Sequence, residues 1–364
     1  MKLRTLVSLI GSGRLTVLLS MTRAIRPYHR VAFAAAGLSS GLLRRLAAGP
    51  VPIHILAAEL AMDASMRDGL EAWLQLGVAL RELHAGPEGY ILRGRLSRKL
   101  IDPTNDAAAA FIEEVATLHN VLITRSPQRL RQGSRFTLAD QDGRLIARSS
   151  RLAEPFICEA LDDVIPLRGP VKLFEVGCGA AAYIRHAAAR NPELTALGLE
   201  LQPEAAALAA ENVSQWNLAA RVAIEVGDVM RRTTEPVFDV ATLHQNIYYF
   251  PVEMRVEVLR HLRSFLKPGG LLLLTTLCQG RGAAVGVLNL WGAMTEGCGR
   301  LPTPAEMAAQ LEEAGFLDVT RRSLIPGESF YSFVGANRAR RSHDFSKNSR
   351  SRSANSRGFS SAMK

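Results

Sequence analysis

Apolar positions follow two different rhythms along this chain. Between residues 28 and 100 they recur every three or four positions, as on amphipathic helices. From about residue 170 they gather into short runs that alternate with helical stretches. In the first part, YHRVAFAAAGLSSGLLRRLAAG predicts a helix ending at Gly49-Pro50, IHILAAELAM a second, and RDGLEAWLQLGVALRELHAG a third. Leu70, Trp73, Leu74, Leu76, Val78, Leu80 and Leu83 form so wide a stripe that the third helix should be buried on more than one side. EGYILRGRLSRKL then predicts a short strand, a glycine and a basic continuation. Residues 105–128 predict a further helix that bridges to the second part.

In that second part, VKLFEVG, ALGLEL, RVAIEVGD, FDVATLH and GLLLLTT predict five buried strands. Helices at about 180–190, 203–217 and 251–266 separate them, with Pro203 suited to a first helical turn and Lys267-Pro268-Gly269-Gly270 to a stop. After the helix PAEMAAQLEEAG, two further strands, DVTRRSLI and SFYSFVGANR, follow each other without a helix and should pair as an antiparallel hairpin. The fold class is therefore α/β: a seven-stranded, doubly wound, Rossmann-like sheet behind a mainly helical N-terminal region.

Three helices and a hairpin are the order of a winged-helix module, so DNA binding has to be weighed. The third helix offers Arg67 and Arg81 against Asp68, Glu71 and Glu82, a face that phosphate would repel. Arg93, Arg95, Arg98 and Lys99 make the wing basic, which alone argues little. No nucleic-acid partner is expected, and a dimerisation and substrate-lid role is preferred. The net charge of +10 does not change this, because residues 338–364 carry eight Lys/Arg against one acid and the other 337 residues only about +3. That tail lacks the apolar residues needed to offset ordering entropy and should be disordered.

Four cysteines, Cys158, Cys178, Cys278 and Cys298, form no C-x-x-C pair, so neither a metal site nor a disulfide framework is expected. A cytoplasmic location fits. The apolar N-terminus is split by Arg14 and predicts a helical arm packed on a domain or a second subunit, as in a homodimer, rather than a membrane span. The expected organisation is an arm over 1–27, a winged-helix-like domain over 28–104, a helical linker over 105–166, the sheet domain over 167–337 and the basic tail.

Candidate chemistry gathers at strand ends, where open α/β sheets bind ligands. Gly177 and Gly179, flanking Cys178, let the backbone approach a ligand closely, be it a dinucleotide or S-adenosylmethionine. Glu175 adds a negative charge there, which works against a pyrophosphate but suits a sulfonium and an amino group. Glu200, beside Leu201, ends the second strand and can accept both hydroxyls of a ribose. Gly227-Asp228-Val229 ends the third, where a carboxylate can take the amine of an adenine or cap a turn.

In FEVGCGA, LGLELQP, EVGDVM and LKPGGLLLLTT, residues 170–336 resemble a class I S-adenosylmethionine-dependent methyltransferase, and the whole chain resembles its small-molecule O-methyltransferase branch. The resemblance implies that Glu175, Gly177 and Gly179 hold the methionine portion of the cofactor S-adenosylmethionine, Glu200 its ribose and Asp228 its adenine. Ala181 stands where the family has a third loop glycine. A larger departure follows the fourth strand. The catalytic histidine common in that branch is replaced, with Tyr248-Tyr249-Phe250 at the corresponding positions. Nearby, His244 is a candidate base titrating near neutrality or a residue packed beside the adenosine, and Asn246 and Tyr248 are candidates to orient an acceptor. His186 and His261 are read as packing residues, and Trp291, with Leu288, Leu290 and Met294, as core or as the wall of an apolar acceptor pocket. The expected acceptor is a small hydrophobic metabolite, methylated on oxygen. The alternatives are methylation of nucleic acid or protein, a regulator that senses the cofactor, and, more remotely, a nicotinamide-dependent dehydrogenase.

Overall fold

The computed structural model describes residues 3–233 and 235–337; the basic tail lies outside the described residues. Helices α1 (Leu3–Gly11) and α2 (Arg14–Ser39) open the chain, followed by α3 (Leu42–Ala47), α4 (Ile53–Glu59) and α5 (Arg67–Ala79). Strands β1 (Leu83–Gly86) and β2 (Gly89–Leu92) form an antiparallel hairpin, and α6 (Arg95–Leu100) follows. The order of helices and hairpin is as expected, but several boundaries move. The first long helix begins in the arm, runs through Pro27 without a break at 27/28, and is interrupted at Gly41, whose φ of +80° separates α3. The third helix stops at Ala79, and Arg81 at φ +64° turns the chain so that Leu83–Gly86 becomes a strand. The basic residues Arg95, Arg98 and Lys99 lie on α6 rather than on a wing.

Leu42, Leu43, Leu46, Leu56, Leu74 and Leu83 pack into one core with Phe33 of α2. Glu82, expected on an exposed face, is buried instead, held by Arg30 at 2.5 Å and by the Ser97 hydroxyl at 2.6 Å. α1 has no fully buried residue, and it touches α2 of its own chain.

Helix α7 (Asp106–Glu114) passes through a π-helical turn, Val115–His119, into α8 (Asn120–Gln132). By length and composition the continuous stretch Pro103–Gln132 is apolar enough to cross a bilayer, and so is the α1–α2 pair if its 87° bend is ignored. Helices α9 (Gly143–Ser149) and α10 (Glu154–Asp162) lead to the sheet.

The sheet alternates β3 (Val171–Val176), α11 (Ala182–Arg190), β4 (Leu194–Glu200), α12 (Pro203–Gln215), β5 (Val222–Val226), β6 (Phe238–His244), α13 (Arg255–Ser264), β7 (Leu266–Leu277), α14 (Ala283–Met294), α15 (Pro304–Glu313), β8 (Leu317–Ser323) and β9 (Phe330–Ala336). Its spatial order is β5-β4-β3-β6-β7-β9-β8. The first five strands in chain order are parallel, whereas β9 runs antiparallel to both β7 and β8, as the helix-free spacing predicted. The Lys267-Pro268-Gly269-Gly270 segment belongs to β7 instead of ending a helix before it.

Strand alternation builds two cores. Leu173 faces Ile157, Leu161, Ile184, Ala187 and Val213 on one side, while Phe174 and Val176 face Val258, Leu259, Leu262 and Leu311 on the other. The chain order reverses at β3, which lies between β4 and β6, so a crevice opens at the carboxyl ends of those strands.

Candidate cofactor and acceptor site

The loop after β3 is fixed by its neighbours. The amides of Gly177 and Cys178 both donate to the Leu199 carbonyl, at 2.8 and 3.2 Å. Gly177 has a φ of +64°, and a β-carbon there would fall 2.2 Å from Nδ2 of Asn246. Glycine is thus required at 177 by a side chain as well as by backbone conformation. Gly179, at φ +52°, has open space where a β-carbon would stand, leaving its backbone approachable. Ala181 takes up a left-handed φ of +61°, a conformation that costs an alanine about 1 kcal/mol and explains why a glycine suits this position. Cys178 is a core residue. Its side chain is buried, and a β-carbon on Gly198 would meet its sulfur at 2.8 Å, so it offers a ligand its backbone alone.

Two carboxylates flank the loop. Glu200 receives the Gly179 amide on Oε2 at 2.9 Å and the Gln202 amide on Oε1 at 3.1 Å, so it orders the loop from the next strand. Glu175 is fully buried, and neither of its oxygens has a hydrogen-bond partner among the described residues. Burial, reinforced by the Glu200 charge, pushes its carboxyl well above the ordinary range. A buried carboxyl with no donor of its own is matched to a cation delivered by a ligand.

The raised Glu175 value makes stability depend on pH. Its folded value lies above a free glutamate's 4.5, so the stability linked to its proton is complete below that value and is lost as pH rises towards the folded one. Glu175→Gln, which needs no proton, should melt a few degrees above the unliganded wild type at neutral pH. At about pH 4 the two should melt together. Equal melting temperatures at neutral pH would show that Glu175 is paired.

Further along, Asp228 caps the turn after β5, accepting the Met230 amide at 2.9 Å, with Arg231 3.7 Å from its other oxygen. Leu201 is 61% exposed beside Glu200, while Val229 is buried in the core and Gly227 donates to the Glu200 carbonyl at 2.9 Å. The strand ends therefore bring Glu175, Gly179, Glu200, Leu201 and Asp228 into one crevice, while Cys178 and Val229 serve the core beneath it. Two surface depressions of about 230 and 260 Å3 lie elsewhere, lined by Arg125, Gln128, Arg129, Gln132 and Ser134 and by six residues of α2 and the α5 end.

The three candidate catalytic side chains lie in different surroundings. His244 is buried, its Nδ1 2.9 Å from the Thr275 hydroxyl and its ring edge-on to Tyr183, with centroids 4.9 Å apart. Burial pushes its imidazole down to about 3, so it is neutral at physiological pH instead of titrating there. Asn246 is committed to the loop, donating to the Val176 carbonyl at 2.9 Å. Tyr248 is buried against Trp291 and Tyr249, and burial holds its phenol well above 10. It forms part of the wall of that aromatic cluster. Trp291 joins Leu122, Phe136, Val285, Met294 and Leu301 in a cluster between the helical part and the sheet. His186 pairs with Asp162 at 2.9 Å, and His261 lies 2.9 Å from the Val229 carbonyl, both packing roles.

Two contributors escape sequence reasoning. Tyr183, on α11, packs edge-on against His244 and feels the Glu175 charge. Arg255, fully buried, donates to the carbonyls of Phe250 and Arg300 and so ties the segment after β6 to the one before α15. Among the described residues, no three His, Cys, Asp or Glu side chains group as metal ligands.

The methyltransferase domain family matches residues 174–272, the span of the loop and the strands around it. No curated protein sequence matches the chain. Solved structures do. The mitomycin 7-O-methyltransferase MmcR aligns at 18% identity over 90% of this chain and 100% of its own, with a TM-score of 0.74. An O-methyltransferase family protein from Burkholderia thailandensis aligns at 20% identity, 89% and 98% coverage and a TM-score of 0.70. Human N-acetylserotonin methyltransferase, solved with its methyl donor, gives 16% identity, 89% and 98% coverage and 0.68. The helical N-terminal part is thus shared as fold along with the sheet. Residues 174–272 match the methyltransferase domain family, and over about nine-tenths of its length the chain shares the fold of these solved methyltransferases, helical N-terminal module included.

Proposed function

We propose that the protein transfers a methyl group from S-adenosylmethionine to a hydroxyl of a small, largely apolar metabolite. The observation that carries this reading is Glu175, buried beside the loop with two unpartnered oxygens. A cationic amino group would draw the carboxyl into its ionised form and satisfy both oxygens, whereas a pyrophosphate offers it no such partner, so the residues fit S-adenosylmethionine better than a nicotinamide dinucleotide. Glu175 and the Gly179 backbone would hold the methionine portion, Glu200 the ribose, and Leu201 and Asp228 the adenine. When bound, the sulfonium supplies a methyl carbon already activated for displacement. What the chain adds is alignment and the exclusion of water.

Tyr248, Tyr249 and Trp291 support an acceptor chamber of aromatic character, their rings 5.1 to 5.9 Å apart. Labelled methyl from S-adenosylmethionine should appear in planar phenols extractable into organic solvent, and removal of residues 338–364 should leave that transfer unchanged. Label in RNA or protein, lost on removal of the tail, would favour the macromolecular alternative.

The helical module is read as a winged-helix-like lid and dimerisation unit. Leu3, Val7, Ile10, Val17, Leu18 and Leu19 are all exposed along α1 and α2, an apolar surface that a second copy would cover. Light scattering should give twice the monomer mass for the full chain; a monomer would remove this part of the reading. A cytoplasmic location is consistent with it.

A further inference from the structure

The π-helical turn between α7 and α8 places two titratable side chains where no regular helix would. Residues five apart diverge on an α-helix, but a π turn brings i and i+5 into register, and such turns cluster at functional sites. Here it sets Nε2 of His119 3.1 Å from Oε1 of Glu114, both side chains close to nine-tenths buried. The carboxylate can only accept, so Nε2 carries the proton and the lone pair lies on Nδ1. Among the described residues Nδ1 has no hydrogen-bond partner. Phe111 meets the imidazole edge-on, at 5.8 Å between centroids, and limits its rotation.

This pair borders the aromatic cluster. Leu118, next to His119, packs on the cluster of Tyr248 and Trp291, and Leu122 one turn later belongs to it. The Glu114 charge reaches both Tyr248 and Tyr249, where it opposes their ionisation. On the sheet side, burial raises the phenols of Tyr248 and Tyr249 and lowers the imidazole of His244, which packs against Tyr183.

We propose that His119, positioned by Glu114, is the general base that accepts the hydroxyl proton of the acceptor, supplied by the helical module in place of a base on the sheet. The inference rests on the methyltransferase reading above. The proton passes from the acceptor hydroxyl to Nδ1 of His119. The oxygen pair so freed forms the bond to the donor's methyl carbon, while the carbon–sulfur bond breaks and its pair returns to sulfur. The imidazolium, stabilised by the Glu114 carboxylate, then gives its proton to water. A positioned base of this kind contributes about 10²–10⁴-fold.

The test uses 4-nitrophenol, whose phenolate absorbs in the visible, with the full chain saturated with S-adenosylhomocysteine below the phenol's own ionisation. Wild type should bind it with appearance of the phenolate band. His119→Asn should bind it with similar affinity but without the band, His119→Gln likewise, and Glu114→Gln should give a weakened band. Melting curves and calorimetric S-adenosylhomocysteine binding should match wild type in each variant. Absence of the band in wild type, or its persistence in both His119 variants, overturns the proposal. Failure of wild type to bind S-adenosylhomocysteine would instead remove the methyltransferase reading on which it stands.

Discussion

Gly177→Ala should weaken S-adenosylhomocysteine binding by roughly 30- to 100-fold in a calorimetric titration, with little loss of fold. Two costs add. The backbone at φ +64° costs an alanine about 1 kcal/mol. The new methyl would also fall 2.2 Å from Nδ2 of Asn246, whose amide holds the Val176 carbonyl. Displacing that amide forfeits a buried hydrogen bond, about another 1 kcal/mol, and shifts the loop off its ligand-binding path. Asn246→Ala removes the obstacle, so the double variant should recover the steric part and stay only about fivefold weaker than Asn246→Ala alone. Equal losses with and without Asn246 would show that the backbone conformation, not the amide, demands glycine at 177.

Glu200→Ala is expected to cost at least as much, about 100-fold or more in affinity. It deletes the acceptor of the Gly179 and Gln202 amides, so the loop loses its tie to β4 before any ligand contact is counted. It also removes the carboxylate expected to take the ribose hydroxyls. One effect opposes the loss: without the Glu200 charge, Glu175 ionises more readily and pairs better with a cationic amino group. That gain acts between two carboxylates without a direct contact, whereas the losses are charge-assisted hydrogen bonds, so the losses win. A variant binding within threefold of wild type would remove Glu200 from the site.

Much of this was legible from the chain alone because it is written locally. The run into Glu175, Gly177 and Gly179, the acids at the ends of β4 and β5, and the helix-free spacing of β8 and β9 each occupy one window of sequence. What was not legible depends on partners far away in the chain. Asn246 dictates Gly177 from 69 residues downstream, and Thr275 with Tyr183 encloses His244, whose neutrality comes from burial rather than sequence context. Glu82 reads as a surface acid until Arg30 and Ser97 are seen around it. Local propensity also misled. Leu80 to Gly86 continue a helical pattern, yet pairing with Gly89–Leu92 makes the last four a strand. The Glu114–His119 pair obeys neither helical nor strand periodicity, so a search tuned to those periods passes over it.

These particulars share one dependency: the crevice at the ends of β3, β4 and β5 must hold S-adenosylmethionine. Calorimetric titration of the purified chain with S-adenosylhomocysteine and, separately, with NADH tests this most directly. The account predicts micromolar binding of the first and no measurable binding of the second. Tighter binding of NADH, or none of S-adenosylhomocysteine, would contradict it.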